Sequence, residues 1–224
     1  MVFVLFVCNT MIGMNYKRIG GKMGMMKVTR NQKGFTLVEL AIVLVIIGII
    51  LGAVLKGQAL INNAKIKRVY NQQREVLAAV YSYYDRYSFY PGDDPNAATR
   101  WAGVTAGNGN GLIAAGAGST APNYACAATG TEQCDMWNEL RLSEFISGSG
   151  FLNPVNAYGG RIALSYYTVQ GLLAHWIAFQ NIPYDACQSL DLQYDDGVYN
   201  TGAIRGSGNY VTATSGVFDL YFKF

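Results

Sequence analysis

Residues 33–55 read KGFTLVELAIVLVIIGIILGAVL. From Phe35 to Leu55 this is an apolar run of 21 residues with a single charge, Glu39. A helix rises about 1.5 Å per residue and the hydrocarbon core of a bilayer is about 30 Å thick, so the run is just long enough to span one. Lys27, Arg30 and Lys33 stand immediately before it. The rule that positive flanks stay inside puts that end in the cytoplasm and the body on the other side. A secretory signal peptide would have a shorter apolar core followed by small residues at a cleavage site. A plain signal anchor explains the length and the flanking charge. It does not explain a carboxylate inside the apolar run, which costs about 3 kcal/mol or more unless it finds a partner.

The segment Lys33-Gly34-Phe35-Thr36-Leu37-Val38-Glu39-Leu40 resembles the class III signal sequence of type IV prepilins and type II secretion pseudopilins. The resemblance implies cleavage between Gly34 and Phe35 by a dedicated prepilin peptidase, which then N-methylates Phe35. Cutting before the apolar run leaves the anchor attached and creates a free amine at the membrane edge. With a pKa near 8, that amine is mostly cationic at neutral pH. Glu39 lies one helical turn away, so the two neutralise each other within a subunit or between neighbours. Stranding either charge in an apolar bundle costs about 3–5 kcal/mol, which gives Glu39 a role in registering each new subunit. Gly48 and Gly52 form a small-xxx-small spacing that suits close helix approach, although glycines are also simply frequent in membrane helices.

The leader, residues 1–34, holds six of the seven methionines and is long for this family. A start at Met26 leaves MKVTRNQKG, a leader of ordinary family length. It also holds six basic residues and no acid, which leaves 11 basic residues against all 14 acids in the body. The formal net charge of +3 therefore belongs to the leader. The body is mildly acidic, and no nucleic-acid partner is expected.

Helical periodicity continues past the membrane. Val69, Val76, Val80, Tyr83 and Tyr87 mark one face, so a single helix is expected from Phe35 to Tyr87, stopped by Pro91-Gly92. The organisation expected is an apolar helix half over 35–57, an amphipathic half over 58–90 and a globular head over 91–224. Many type IV pilins carry a helix-kinking proline where this chain has Lys56, and the helix has no proline before Pro91. The Gly-, Ala- and Asn-rich stretch 92–130 reads as a long surface loop, the αβ-loop of the resembled family. It is not a phosphate loop, because no Lys-Ser/Thr pair closes it. Residues 135–147 have a helical pattern. Arg161–Val169, Leu172–Phe179 and Val217–Phe224 read as strands separated by turn signals at Asn181-Ile182-Pro183 and Asp195-Asp196-Gly197. The fold class is α+β: a long helix packed on a small antiparallel sheet.

Cys126 and Cys134 are close enough in sequence for a bridge, with Cys187 left over; pairing of Cys187 with either stays open. His175, next to Trp176 in an apolar run, reads as a packing residue. Asp93-Asp94 and Asp191, Asp195, Asp196 offer oxygen ligands to calcium, or serve as turn residues; some major pseudopilins bind calcium in the head. No catalytic constellation is present, so an enzyme is not expected. The resemblance implies a structural filament subunit of a pilus or a type II secretion pseudopilus. The alternative is a minor or tip pilin acting as a binding module in adhesion or DNA uptake. The partners implied are the prepilin peptidase/methyltransferase, other pilin or pseudopilin subunits, the inner-membrane assembly platform and membrane lipid. The location implied is a single pass of the inner membrane with the head in the periplasm or outside, then the filament.

Overall fold

A computed structural model describes residues 34–114 and 118–224. The expectations for the leader and for a start at Met26 lie outside the described residues. The described residues divide into two compact units, the first ending at Ile49 and the second running from Ile50 to Phe224. In the first, Gly34–Thr36 are non-helical and a helix begins at Leu37. That helix, α1, runs unbroken in its backbone from Leu37 to Tyr87.

In the second unit, α1 buries one stripe: Val69, Gln73, Val76, Ala79, Val80 and Tyr83. Steps of three and four residues keep these side chains on one face. The helix ends at Tyr87, the residue expected, ahead of Pro91-Gly92. Ser88 takes a left-handed conformation, φ 64°, which breaks the turn three residues before the proline. The chain then passes through a short helix, α2 (Ala97–Arg100), and a long connection to α3 (Glu132–Leu142).

The helix expected over 135–147 thus begins three residues sooner and ends five residues sooner. The Ser143 hydroxyl donates to the Glu139 carbonyl at 2.7 Å, and Glu144 adopts a positive φ of 64°. The chain folds back there, and Phe145 and Ile146 both donate to the Leu140 carbonyl.

The sheet has the order β1-β2-β4-β3 and every neighbour is antiparallel. β1 (Ile162–Val169) and β2 (Leu172–Pro183) form a hairpin. Its two-residue turn, Gln170-Gly171, has both φ angles positive, the type I′ geometry whose twist matches that of the strands. β2 does not end at Phe179. A bulge between Phe179 and Ile182, with Asn181 at φ 59°, lets the strand resume pairing with β4 (Val217–Lys223). The turn residue read from the sequence thus produces a bulge rather than a stop.

Three elements had no counterpart in the sequence reading, the first being α2, which falls within the stretch read as loop. α4 (Tyr184–Tyr194) buries Ala186, Cys187, Leu190 and Asp191. The short β3 (Ile204–Gly206) adds the far edge of the sheet.

Ile162, Leu164, Ile177, Phe179, Leu220 and Phe222 face the stripe of α1 in one core. Trp176, Ala178 and Tyr221 form a smaller cluster on the opposite sheet face, with Tyr124 and Tyr167 packed against it. Both faces of the central strands are therefore covered, which is why they read as near-continuous apolar runs. The α+β architecture of a long helix and a small antiparallel sheet is the one the sequence implies.

Candidate functional site

The apolar run opens on a helix cap. Thr36 precedes the first helical residue and Glu39 stands three positions on. Glu39 Oε2 accepts hydrogen bonds from the Thr36 amide and the Thr36 hydroxyl, both at 2.9 Å. In return, the Glu39 amide donates to Thr36 Oγ1 at 3.2 Å. This is a capping box, which satisfies reciprocally amide groups that a helix start otherwise leaves without partners. The carboxylate also sits at the positive end of the helix dipole. The Leu40 amide closes the first turn on the Thr36 carbonyl.

Beyond the cap, every residue from Leu37 to Leu55 is exposed. Phe35 is 80% exposed and Leu37 87%. Each Leu, Ile or Val left in water forgoes about 1.5–3 kcal/mol of burial, so a helix apolar on all sides needs lipid or other helices around it. Gly48 and Gly52 leave open space where a side chain would stand, with no atom within 4 Å of either ideal Cβ. Among the described residues, this is the one helix long and apolar enough to cross a membrane by length and composition.

Residues 29–55 match a family model described as the prokaryotic N-terminal methylation motif. The chain carries a class III prepilin signal. Precursors of type IV pilins and pseudopilins bear this signal, and it implies processing by a prepilin peptidase and assembly with other pilins. No curated protein and no solved structure matches the chain.

Within the prepilin signal, Gly34 and Phe35 are the last two residues before the cap, and both are exposed non-helical backbone. Backbone in that state is what a peptidase needs, because a helical peptide bond is already engaged in hydrogen bonds. The reading of Glu39 as a partner for the Phe35 amine overlooked its bonds to Thr36. The signal for them was present, because T-x-x-E before an apolar run is the sequence mark of a capping box.

The head places the acidic residues in two different settings. Asp93 and Asp94 are almost fully buried and are spent on folding the Gly-Asn loop. Asp93 accepts from the amides of Asn110 (3.0 Å) and Gly111 (2.7 Å). Asp94 accepts from the Tyr83 hydroxyl (3.0 Å) and the Asn96 amide (2.8 Å), and pairs with the Arg100 guanidinium. Gly107 passes so close beneath that an added Cβ would sit 2.2 Å from the Asp93 carbonyl carbon. These two aspartates are therefore the hub of the αβ-loop, and the structure does not bring them to Asp195 and Asp196.

It does bring Asp191 to those two. One oxygen from each of Asp191, Asp195 and Asp196 lies within 4.8 Å of the others. Asp191 is buried at the end of α4 and accepts from the Tyr210 hydroxyl at 2.6 Å and the Gly197 amide at 3.1 Å. Asp195 accepts from the Ile204 amide, and Asp196 from Val198 and Thr201. Gly202 backs onto Asp195 so closely that a Cβ would meet Oδ2 at 2.0 Å. Three hard oxygen donors, one on the last turns of α4 and two just after it, are donors of the kind calcium takes.

A disulfide joins Cys126 to Cys134, tying the αβ-loop to the first turn of α3. Cys187 is free and fully buried on α4, and burial pushes its thiol far up. His175 Nε2 accepts from the Ile113 amide at 3.2 Å, among the rings of Tyr90, Tyr166 and Phe224. Burial lowers its pKa to about 4, so it is a neutral packing residue at physiological pH.

Glu139 escaped the sequence reading altogether. It lies on α3 with no exposed surface, and its Oε2 accepts from the Gly92 amide at 2.7 Å. Its Oε1 has no hydrogen-bond partner. Burial pushes the carboxyl up to about 7, which the Gly92 amide offsets only in part.

Proposed function

We propose that the chain is a structural filament subunit, cut between Gly34 and Phe35 and N-methylated on Phe35. The anchor helix then holds it in the cytoplasmic membrane until subunits assemble through that same helix. The observation that carries this reading is the coincidence of two features on one segment. The methylation motif covers residues 29–55, and the helix it leads into is apolar and exposed on all sides.

A cut at Gly34 spares the capping box and frees the amine of Phe35 beside Glu39. The carboxylate then has two calls on it: Thr36 of its own chain and an amine within the subunit or on a neighbour. In an apolar bundle, the amine satisfies the charge and the hydroxyl does not, which favours exchange on assembly. Gly48 and Gly52 supply the close approach between helices. The presence of Glu39 favours repeated incorporation over a place at the tip.

Mass spectrometry of the membrane-bound protein tests the reading. The expected N-terminus is N-methylated Phe35, and an intact leader on the membrane-bound chain would defeat the proposal. Calcium on Asp191, Asp195 and Asp196 is a second element, favoured by their convergence at the end of α4.

A further inference from the structure

The loop folded around Asp93 holds two Asn-Gly pairs, Asn108-Gly109 and Asn110-Gly111. In such a pair the glycine nitrogen can close a five-membered ring on the asparagine side-chain carbon, Cγ, because glycine has no Cβ to obstruct the approach. The two atoms are neighbours by covalent structure. What the fold adds is the surroundings: a base for the glycine N–H, a donor for the oxygen that gains charge, and a side-chain nitrogen free to leave.

At Asn110-Gly111 all three are in place. The Gly111 amide donates to Asp93 Oδ2 at 2.7 Å, so a carboxylate already holds the proton that must be removed. The Leu112 amide donates to Asn110 Oδ1 at 2.8 Å. That bond turns the side-chain carbonyl back over the Gly111 peptide and sets an N–H on the oxygen where charge develops. Asn110 is exposed, and its bonds run through its backbone nitrogen and Oδ1. Its Nδ2 has no hydrogen-bond partner among the described residues. A cleft of about 280 Å³ beside the pair, lined by Tyr84, Tyr90, Asp93, Asn110 and Gly111 among others, gives water access.

At Asn108-Gly109 the surroundings differ. The Gly109 amide donates to the Asp93 main-chain carbonyl at 3.0 Å, and a carbonyl is no base for that proton. Asn108 Nδ2 donates to Glu132 Oε1 at 2.6 Å, which pins the group that would have to leave.

We infer that Asn110 is a self-modification site, converted to aspartate and isoaspartate through a cyclic imide with Gly111, while Asp93 carries the proton. The Gly111 nitrogen bonds to Cγ as its proton passes to Asp93. The proton then moves to Nδ2, the Cγ–Nδ2 bond breaks and ammonia leaves. One water opens the ring: attack at Cγ leaves aspartate, and attack at the main-chain carbonyl leaves isoaspartate. Ring closure takes the Gly111 N–H away from Asp93, and either product sets a new carboxylate beside it. The loop therefore loses a bond and gains a repulsion. The site lies on the head and is independent of how the prepilin signal is processed.

The full chain in detergent micelles is aged at neutral pH, with and without urea, and then digested. Mass spectrometry assigns the amide-to-acid change to residue 108 or 110, and enzymatic methylation counts isoaspartate. In the folded chain Asn110 should convert at least about tenfold faster than Asn108. In urea Asn110 should slow and the two rates should converge. Asp93→Asn should slow Asn110 by about tenfold or more. The urea comparison uses no variant, so it decides the matter even where Asp93→Asn does not fold. Asn108 converting as fast as Asn110 in the folded chain would overturn the inference. So would Asn110 converting no faster folded than in urea, or at an unchanged rate in a folded Asp93→Asn chain.

Discussion

Replacing Glu139 by glutamine is expected to stabilise the head at neutral and alkaline pH and to leave it nearly unchanged in acid. The carboxyl has no exposed surface and accepts from the Gly92 amide, with the Tyr83 side chain also favouring its charged form. Burial raises it from the usual 4.5 to about 7 in the folded chain. Because the folded protein holds this proton more tightly than the unfolded chain, the stabilisation is complete below about pH 4.5. It is lost as pH rises through about 7, where ionisation in the folded state catches up. A rise from 4.5 to about 7 corresponds to roughly 3 kcal/mol between the two limits.

Glutamine has the same shape, keeps an acceptor for the Gly92 amide and does not ionise. Its stability should therefore lack this slope. At about pH 8 the variant should be more stable by up to roughly 3 kcal/mol, several degrees in Tm. At about pH 4 the two proteins should nearly coincide. Neighbouring Asp135 disfavours ionisation and Arg100 favours it, so neutralising Arg100 should push the carboxyl further up and carry the loss of stability to higher pH. The assay is thermal and urea unfolding of the full chain in micelles across this pH range, followed by the fluorescence of Trp101, Trp137 and Trp176, all of them in the head. A stability difference that does not change with pH, or a variant less stable at pH 8, would refute the reasoning.

Three further outcomes follow from the same structure. Glu39→Val should leave processing intact and block assembly, because a subunit amine loses its counter-charge; normal filament yield by electron microscopy would sink that role. Replacing Cys126 and Cys134 together by serine should cost roughly 2–3 kcal/mol by releasing a small loop, and reduction of the native protein should cost a similar amount, read as a lower Tm. An unchanged Tm on reduction would argue that the ring adds nothing. Calcium chloride should raise the Tm of the native head and not that of Asp195→Asn/Asp196→Asn, whereas equal shifts in both would place any calcium elsewhere.

Residues 33–55 were legible because their signals are local: charge before, length of the apolar run, and a carboxylate at a fixed offset. The buried stripe of α1 was equally readable from the spacing of Val69, Val76, Val80 and Tyr83. The hairpin strands were visible as apolar runs, but β2 was cut short at Asn181. A bulge and a turn use the same residue types, and only the partner strand distinguishes them. α4 was missed because its apolar stripe is short and lies beside a cluster of aspartates that reads as turn. Asp93 read as a possible ligand because the amides it accepts from, those of Asn110 and Gly111, are 17 and 18 residues away in sequence, and Asp94 because its partner Tyr83 lies 11 residues back on α1.

The sequence by itself determined the anchor, its charged flank, the prepilin signal and the class of fold. Each rests on interactions within a few turns of one helix or on the demands of a membrane, and these are written in local composition and spacing. Only the tertiary structure decided which acids serve as loop hub, which converge as oxygen donors, and that Glu139 is a buried carboxyl. Those outcomes depend on burial and on contacts between residues far apart in the chain, and no local pattern encodes them.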